Sequence, residues 1–336
     1  MTELENTPTT PPPLGGPSPV AGDLVERVDA IREAVGHAFI GQQDVLDQIL
    51  IALLAGGHVL IEGVPGLGKT LLVRALAQAL ELDHGRVQFT PDLMPSDVSG
   101  HAVYDPKSES FKIRRGPVFT NLLLADEINR APAKTQSALL EAMAERQVTV
   151  DGVSRPLGDA FTVFATQNPV EHEGTYPLPE AQLDRFLVKT LMPDPTREAE
   201  LELLARYDAG FDAERLVTAE MKSALAGADA VSIRQLVDGV RVAAEVRVYI
   251  ADITRSTREE RMLSLGASPR ATVALFRAAR AAAVLEGRDF VTPDDVKGVT
   301  PAVLRHRINL APELEVEGRS TDDVLGALLA RVRVPE

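Results

Sequence analysis

Residues 61–70, IEGVPGLGKT, interrupt an apolar run with three glycines and a proline and then supply a lysine and a threonine. Glycine is conformationally costly inside a buried segment, so its use there asks for a reason beyond core filling. The spacing G-x-x-x-x-G-K-[ST] is met without a mismatch by Gly63, Val64, Pro65, Gly66, Leu67, Gly68, Lys69 and Thr70. In such a loop the backbone N–H groups turn inward around an anion, and the helix after it adds its N-terminal dipole. The chemistry is phosphate binding: Lys69 would reach the β- and γ-phosphates of a nucleotide, and the Thr70 hydroxyl would ligate Mg²⁺. An incidental glycine turn would not require strand, loop and helix in this order, which the flanking HVLIEG and KTLLVRALAQALEL supply.

Further along, LLLADE carries an apolar strand into Asp126 and Glu127. Alone, an acidic pair after a strand is usually the polar end of a core strand. Downstream of a phosphate loop it reads as a hydrolytic pair, with Asp126 holding Mg²⁺ through its water shell and Glu127 polarising the attacking water. FATQNP sets Asn168 just past the next strand. Parallel strands end at a ligand crevice, where an amide can bridge the γ-phosphate and the water; an ordinary Asn-Pro turn is the other reading. Two arginines remain. EAQLDRF sets Arg185 between an acid and an aromatic residue, and GASPRA sets Arg270 in the first turn of a helix, with Ser268 as N-cap and Pro269 at the first position. A cation there opposes the helix dipole, whereas a phosphate partner would favour it. Each arginine alone suits a surface charge or a structural ion pair; together they suit phosphoryl transfer, where guanidinium groups meet developing charge.

The surrounding elements must hold these residues in one place. The 336 residues are 45% apolar, with 10 Phe, 4 Tyr and no Trp, and alanine and leucine dominate, which favours helix. The opening 20 residues, MTELENTPTTPPPLGGPSPV, read as a disordered proline-rich tail (residues 1–22), with a first helix from Asp23 to about Val35. A second helix, QQDVLDQILIALLAG, ends at Gly56-Gly57. From there strand-like runs (HVLIEG, GRVQFT, TNLLLADE, AFTVFAT) alternate with helical ones, the pattern of a parallel sheet covered on both faces. Two segments interrupt it: residues 91–117, with a hairpin in HAVYDPKSESFKIRRG, and residues 147–157, with Asp151-Gly152 as a tight turn. After Pro193–Pro195 the chain is helical in period throughout, so the sequence divides into an α/β core over 23–192 and a smaller all-α domain over 193–336.

Charge and composition exclude several classes. A formal net charge of −14 argues against general affinity for nucleic acid. No cysteine means no disulfide and no thiolate chemistry. The apolar run 49–54 is too short to span a bilayer, and the first basic residue is Arg27, so no membrane span is expected and a soluble, cytoplasmic protein is.

The phrases GVPGLGKT, LLLADEINRAPAKTQSALLEAMAERQVTV, FATQNPVEHEGTYPLPEAQLDRF and GASPRA, in that order, resemble the MoxR branch of AAA+ ATPases. The resemblance covers the chain from about Asp23 onward. It implies a RecA-like P-loop αβα domain followed by a helical lid. It makes residues 63–70 the Walker A loop, Asp126 and Glu127 Walker B, Asn168 sensor 1, Arg185 an arginine finger acting on a neighbouring subunit's nucleotide, and Arg270 sensor 2. Leu71 joins the nucleotide contacts, and Phe39, Ile40 and Gly41 are expected near the adenine. Residues 91–117 would be the helix-2 insert of this branch, and residues 147–157 the hairpin before sensor 1.

The resemblance implies an ATP- and Mg²⁺-dependent ATPase in a homo-oligomeric ring, expected to be a hexamer, that remodels, matures or activates a client protein. Its expected partner is a separate von Willebrand factor A domain protein, since no D-x-S-x-S metal motif occurs here. A metal-chelatase or cofactor-insertion ATPase subunit of the same clade would carry the same nucleotide site. A nucleic-acid motor is disfavoured by the acidic balance, and a nucleotide-gated binding module without turnover would have no use for Glu127 or Arg185.

Overall fold

The computed structural model describes residues 19–168, 174–211 and 230–335. The first helix, α1, spans Pro19–Ala38. It begins inside the stretch expected to be a tail and ends later than Val35, because proline is tolerated in a first helical turn. The rest of the expected tail lies outside the described residues. Helix α2 is Gln43–Leu54. Five strands follow in one parallel sheet: β1 (Val59–Glu62), β2 (His84–Gln88), β5 (Leu122–Asp126), β8 (Thr162–Gln167) and β9 (Val188–Leu191), in the order β2-β5-β8-β1-β9. Helices α3 (Lys69–Ala79) and α5 (Ala133–Glu145) lie in the crossovers.

Side chains alternate across a strand, and the apolar runs use both faces. Val59, Ile61, Leu122, Leu124 and Phe164 enter one buried cluster with α1, α2 and α3. Leu60, Leu123, Ala125, Val163 and Ala165 enter a second with α5. A strand buried on both faces cannot slip by one residue without exchanging its two sets of partners, so the polar residues at the strand ends are held at a fixed height.

Both interruptions of the alternating pattern contain hairpins. Residues 91–117 hold helix α4 (Pro95–Ser99) and the antiparallel pair β3 (Gly100–Asp105) and β4 (Ser110–Arg115). The second hairpin pairs β6 (Gln147–Val150) with β7 (Val153–Pro156). Its turn residues Asp151 and Gly152 have φ of 49° and 78°, as a two-residue turn matched to strand twist requires.

Beyond α7 (Arg197–Asp208) the chain is mainly helical: Ala230–Gly239, Ala244–Glu259, Pro269–Leu285, Pro293–Leu304, Pro312–Val316 and Thr321–Leu329. Among the described residues, two departures from the helical periodicity occur. The chain is not helical between Gly239 and Ala244, where Arg241 bridges Phe290. A small antiparallel pair, Leu263–Leu265 with Asn309–Leu310, is added to an otherwise helical domain; strands this short carry no periodic signal. The Pro293–Leu304 helix opens on Thr292 as N-cap, with Asp295 closing a capping box. The apolar faces of these helices, including Tyr249, Ile253, Leu275 and Val303, run into the same cluster as α1–α3.

One buried histidine makes the fold sensitive to acid. His58, just before β1, accepts the Val163 N–H at Nδ1 (3.0 Å) and has Nε2 at 3.1 Å from the Met143 carbonyl. The neutral Nε2–H tautomer satisfies both contacts. Burial, with nearby arginines adding to it, lowers the imidazole pKa from 6.5 to about 4. A group whose folded pKa is depressed gives stability that is present above its unfolded pKa and is lost as pH falls toward the folded one. The unfolding free energy should therefore drop below pH 6.5 and level off near pH 4, by about 3 kcal/mol from this residue. His306, also buried and shifted downward, acts in the same direction. Urea unfolding at a series of pH values should show the slope in the native chain and a smaller one in His58→Gln; equal slopes would assign the acid sensitivity elsewhere.

Candidate active site

The carboxyl ends of β1, β5 and β8 meet the phosphate loop in a cleft of about 440 Å³, lined by residues that include Gly66, Gly68, Lys69, Thr70, Asp126, Glu127 and Asn168. Gly66 and Gly68 have φ of 91° and 80°, backbone that side chains with a Cβ rarely adopt, and the loop passes directly into α3 at Lys69. The Lys69 ammonium donates to the Gly63 carbonyl. Its pKa is lowered by burial, against the opposing fields of Asp126, Glu127 and Glu62.

The acidic pair is held by groups that no motif in the sequence singles out. Thr166 of β8 donates its hydroxyl to Asp126 Oδ1 (3.2 Å) and accepts the Glu127 N–H (2.9 Å). Arg86 Nε donates to Asp126 Oδ2 at 2.7 Å, and Gln88 Nε2 to Glu127 Oε2 at 2.7 Å. Arg130 also reaches Glu127 Oε2, at 3.0 Å. Arg86 and Gln88 are two apart on β2 and so share a face; β2 pairs with β5 in the register Gln88↔Asp126. The alternation of GRVQ in a strand-like run is visible in the sequence; that this strand borders LLLAD is set by the sheet order. Glu127 itself is left-handed, at φ 55° and ψ 50°, a conformation that costs a non-glycine residue about 1–3 kcal/mol. The Thr166 contact holds its N–H and the Arg130 N–H holds its carbonyl, at 2.9 Å. The left-handed turn, held by these contacts, leaves Glu127 just beyond the strand end, on the cleft.

The other expected site residues divide. Pro65 and Leu71 line the cleft, as does Arg74, which lies outside every motif in the sequence. Gly63, Val64, Leu67, Phe39, Ile40 and Gly41 do not. A Cβ on Gly63 would come within 2.9 Å of the Met192 carbonyl, so this glycine permits close approach to the end of β9. The Phe39 ring lies against Gly68, and a Cβ on Gly41 would meet Ala199 at 2.7 Å, so residues 39–41 lie behind the loop at the junction with α7. Arg185 follows the short helix α6 (Glu180–Leu183); it is exposed, donates to the Leu140 carbonyl at 3.2 Å and stands outside the cleft. Arg270 is exposed in the first turn of the Pro269–Leu285 helix, also outside it. Ser268 occupies the N-cap position, yet its hydroxyl donates to Asp184 Oδ2 (3.3 Å) and does not cap.

A glycine loop running into a helix N-terminus, a half-buried ammonium and a hard-oxygen donor set of Thr70 and Asp126 suit a nucleoside triphosphate and Mg²⁺. Known proteins carry the same combination. Residues 58–188 match the family model described as "ATPase family associated with various cellular activities (AAA)", and residues 255–328 match the AAA lid domain. The chain is thus an AAA+ ATPase: it binds and hydrolyses ATP. A crystal structure of a presumed ATPase from Cytophaga hutchinsonii superposes with a TM-score of 0.86 at 40% identity, over 94% of this chain and 97% of that one. Chaperone MoxR1 of Mycobacterium tuberculosis is 40% identical over 96% of this chain and 86% of its own. Protein MoxR of Methylorubrum extorquens is 32% identical over 90% of this chain and 93% of its own. On these likenesses the chain belongs to the MoxR family of AAA+ ATPases. No helix among the described residues is long and apolar enough to cross a membrane.

Replacing Thr166 with valine preserves shape but removes the hydroxyl between Asp126 and the Glu127 amide. We expect kcat to fall about tenfold or more while the Kd for ATP changes by less than about threefold. Unchanged kcat would show that the acidic pair needs no such bridge.

Proposed function

We propose that this chain is a chaperone-like ATPase whose subunits assemble into a ring, in the form of a hexamer, and complete one another's active sites. Within one subunit the phosphate loop holds ATP, and Thr70 and Asp126 would hold Mg²⁺, which would supply neutralisation of charge on the phosphate oxygens. Glu127 takes the proton of the attacking water as general base, and Asn168 orients that water. Arg185 from a neighbour meets the charge that develops on the γ-phosphoryl group. Arg270 couples the state of the nucleotide to the lid. The observation that carries this reading is the exposure of Arg185 away from its own cleft, in a chain whose Lys69, Thr70, acidic pair and Asn168 gather at the strand ends. The work is done on a client protein, with a separate von Willebrand factor A domain protein as partner. The name of the Mycobacterium tuberculosis relative, a chaperone, supports that direction. So does the β3–β4 hairpin, which presents Phe111 at 73% exposure, with its ring 5.4 Å from that of Tyr104, as a surface for another polypeptide.

The Glu127→Gln variant should bind ATP and lose turnover by about 100-fold; unchanged turnover would remove Glu127 from the role of base. In the native chain, turnover per subunit should rise steeply with protein concentration across the assembly range. A flat profile would exclude a finger supplied by a neighbour.

A further inference from the structure

The lid returns to the α/β core through Arg305, His306 and Arg307, which follow the Pro293–Leu304 helix. Arg307 is buried, with its side chain 4% exposed. Its Nε donates to Asp184 Oδ1 at 2.7 Å. Nη2 donates to the carbonyls of Asp184 (3.3 Å) and Phe186 (2.6 Å), and Nη1 to those of Leu187 (3.0 Å) and Val303. The five N–H groups of the guanidinium are thereby all engaged. Its fork straddles Arg185, gripping the carbonyls immediately before and after it. The His306 ring adds a contact of 3.0 Å to the Phe186 carbonyl, and Arg305 one of 3.2 Å to that of Lys189.

Asp184 faces two ways. One carboxylate oxygen takes Arg307, and the other takes the Ser268 hydroxyl at the N-cap of the helix whose first turn carries Arg270. The arginine expected to act on a neighbour's nucleotide and the one expected to sense the subunit's own are therefore joined through one part-buried carboxylate. A buried ion pair is a weak source of net stability, because desolvation consumes most of the attraction; its best-attested use is to fix a register. An apolar contact would hold the lid down without fixing the angle at which Arg185 leaves the core.

We propose that Arg307 and Asp184 are positioning residues that lock the lid to the Arg185 segment, so that in one subunit the lid and the finger move as one body. Neither residue touches nucleotide; each acts through Arg185 and, by way of Ser268, through Arg270. Movement of the lid in response to a subunit's own nucleotide then displaces the finger at the neighbouring site. This deepens the proposed function and rests on Arg185 acting between subunits.

Mixed assemblies of full-length chains test it. Arg307→Lys keeps the charge and loses the fork. It should bind ATP with a Kd within about twofold of the native value and show kcat reduced about tenfold or more, as should Arg185→Ala. Each is then mixed with an excess of Lys69→Ala subunits, which lack ATP binding but carry an intact finger. Restored turnover of both variants supports the clamp, since the defect then lies in what a subunit gives its neighbour. Restoration of Arg185→Ala without Arg307→Lys overturns the clamp and leaves the shared site standing. Failure to restore Arg185→Ala overturns the in-trans finger and the clamp with it. If Arg307→Lys does not bind ATP and so has not folded, Asp184→Asn is put through the same mixture and read by the same outcomes.

Discussion

Parallel pairing of strands buried on both faces is the constraint on which the rest of the molecule depends. Because β5, β8 and β1 each send alternate residues into two different cores, their register is fixed from both sides. Their polar ends must then emerge together at one edge of the sheet. Asp126, Gln167 and Glu62 terminate those strands, and the backbone after each has to turn away from the core. The phosphate loop, Glu127 and Asn168 all occupy such turns. Chemistry is concentrated there because this is where buried hydrophobic structure stops and hydrogen-bonding groups are unavoidable.

Within that edge, precision comes from polar contacts between strands. The Thr166 hydroxyl bridges one carboxylate of the acidic pair and the backbone amide of the other, so two neighbouring residues at the end of β5 are oriented by a residue on β8. Arg86 and Gln88 do the same from β2. Glu127 is held in a left-handed conformation between these contacts, and strain of this kind persists only where the surroundings over-determine it. The charge balance is local as well. A chain of net charge −14 gathers Lys69, Arg74 and Arg86 along one cleft, where a polyanion has to be received.

The lid is attached in two physically different ways. Its apolar faces continue the core beneath α1–α3, which supplies attachment without direction, since burial is proportional to area and not to angle. The Arg307–Asp184 pair and the carbonyls around Arg185 supply direction. On the proposed function both are needed: a surface on which elements stay together, and a clamp that decides which of them travel as one.

The sequence by itself determined the phosphate loop, the acidic pair, the amide after the next strand, the alternation of strands and helices and both hairpins. These depend on local properties: glycine's access to left-handed backbone at Gly66, Gly68 and Gly152, the periodicity of apolar residues, and short spacings within one turn. The tertiary structure alone decided the partners. That Thr166 serves Asp126 and Glu127, that Arg86 and Gln88 face them, and that Gly63 is small for the sake of Met192 are consequences of the order and register of strands far apart in the chain. Ser268 looked like a helix cap because its place in the sequence is that of a cap; in the fold its hydroxyl donates to Asp184, a residue 84 positions away, and accepts no helix N–H. Local signals name the groups that can do chemistry. Which atom each one meets is a long-range question, answered only when two cores fix how the strands lie side by side.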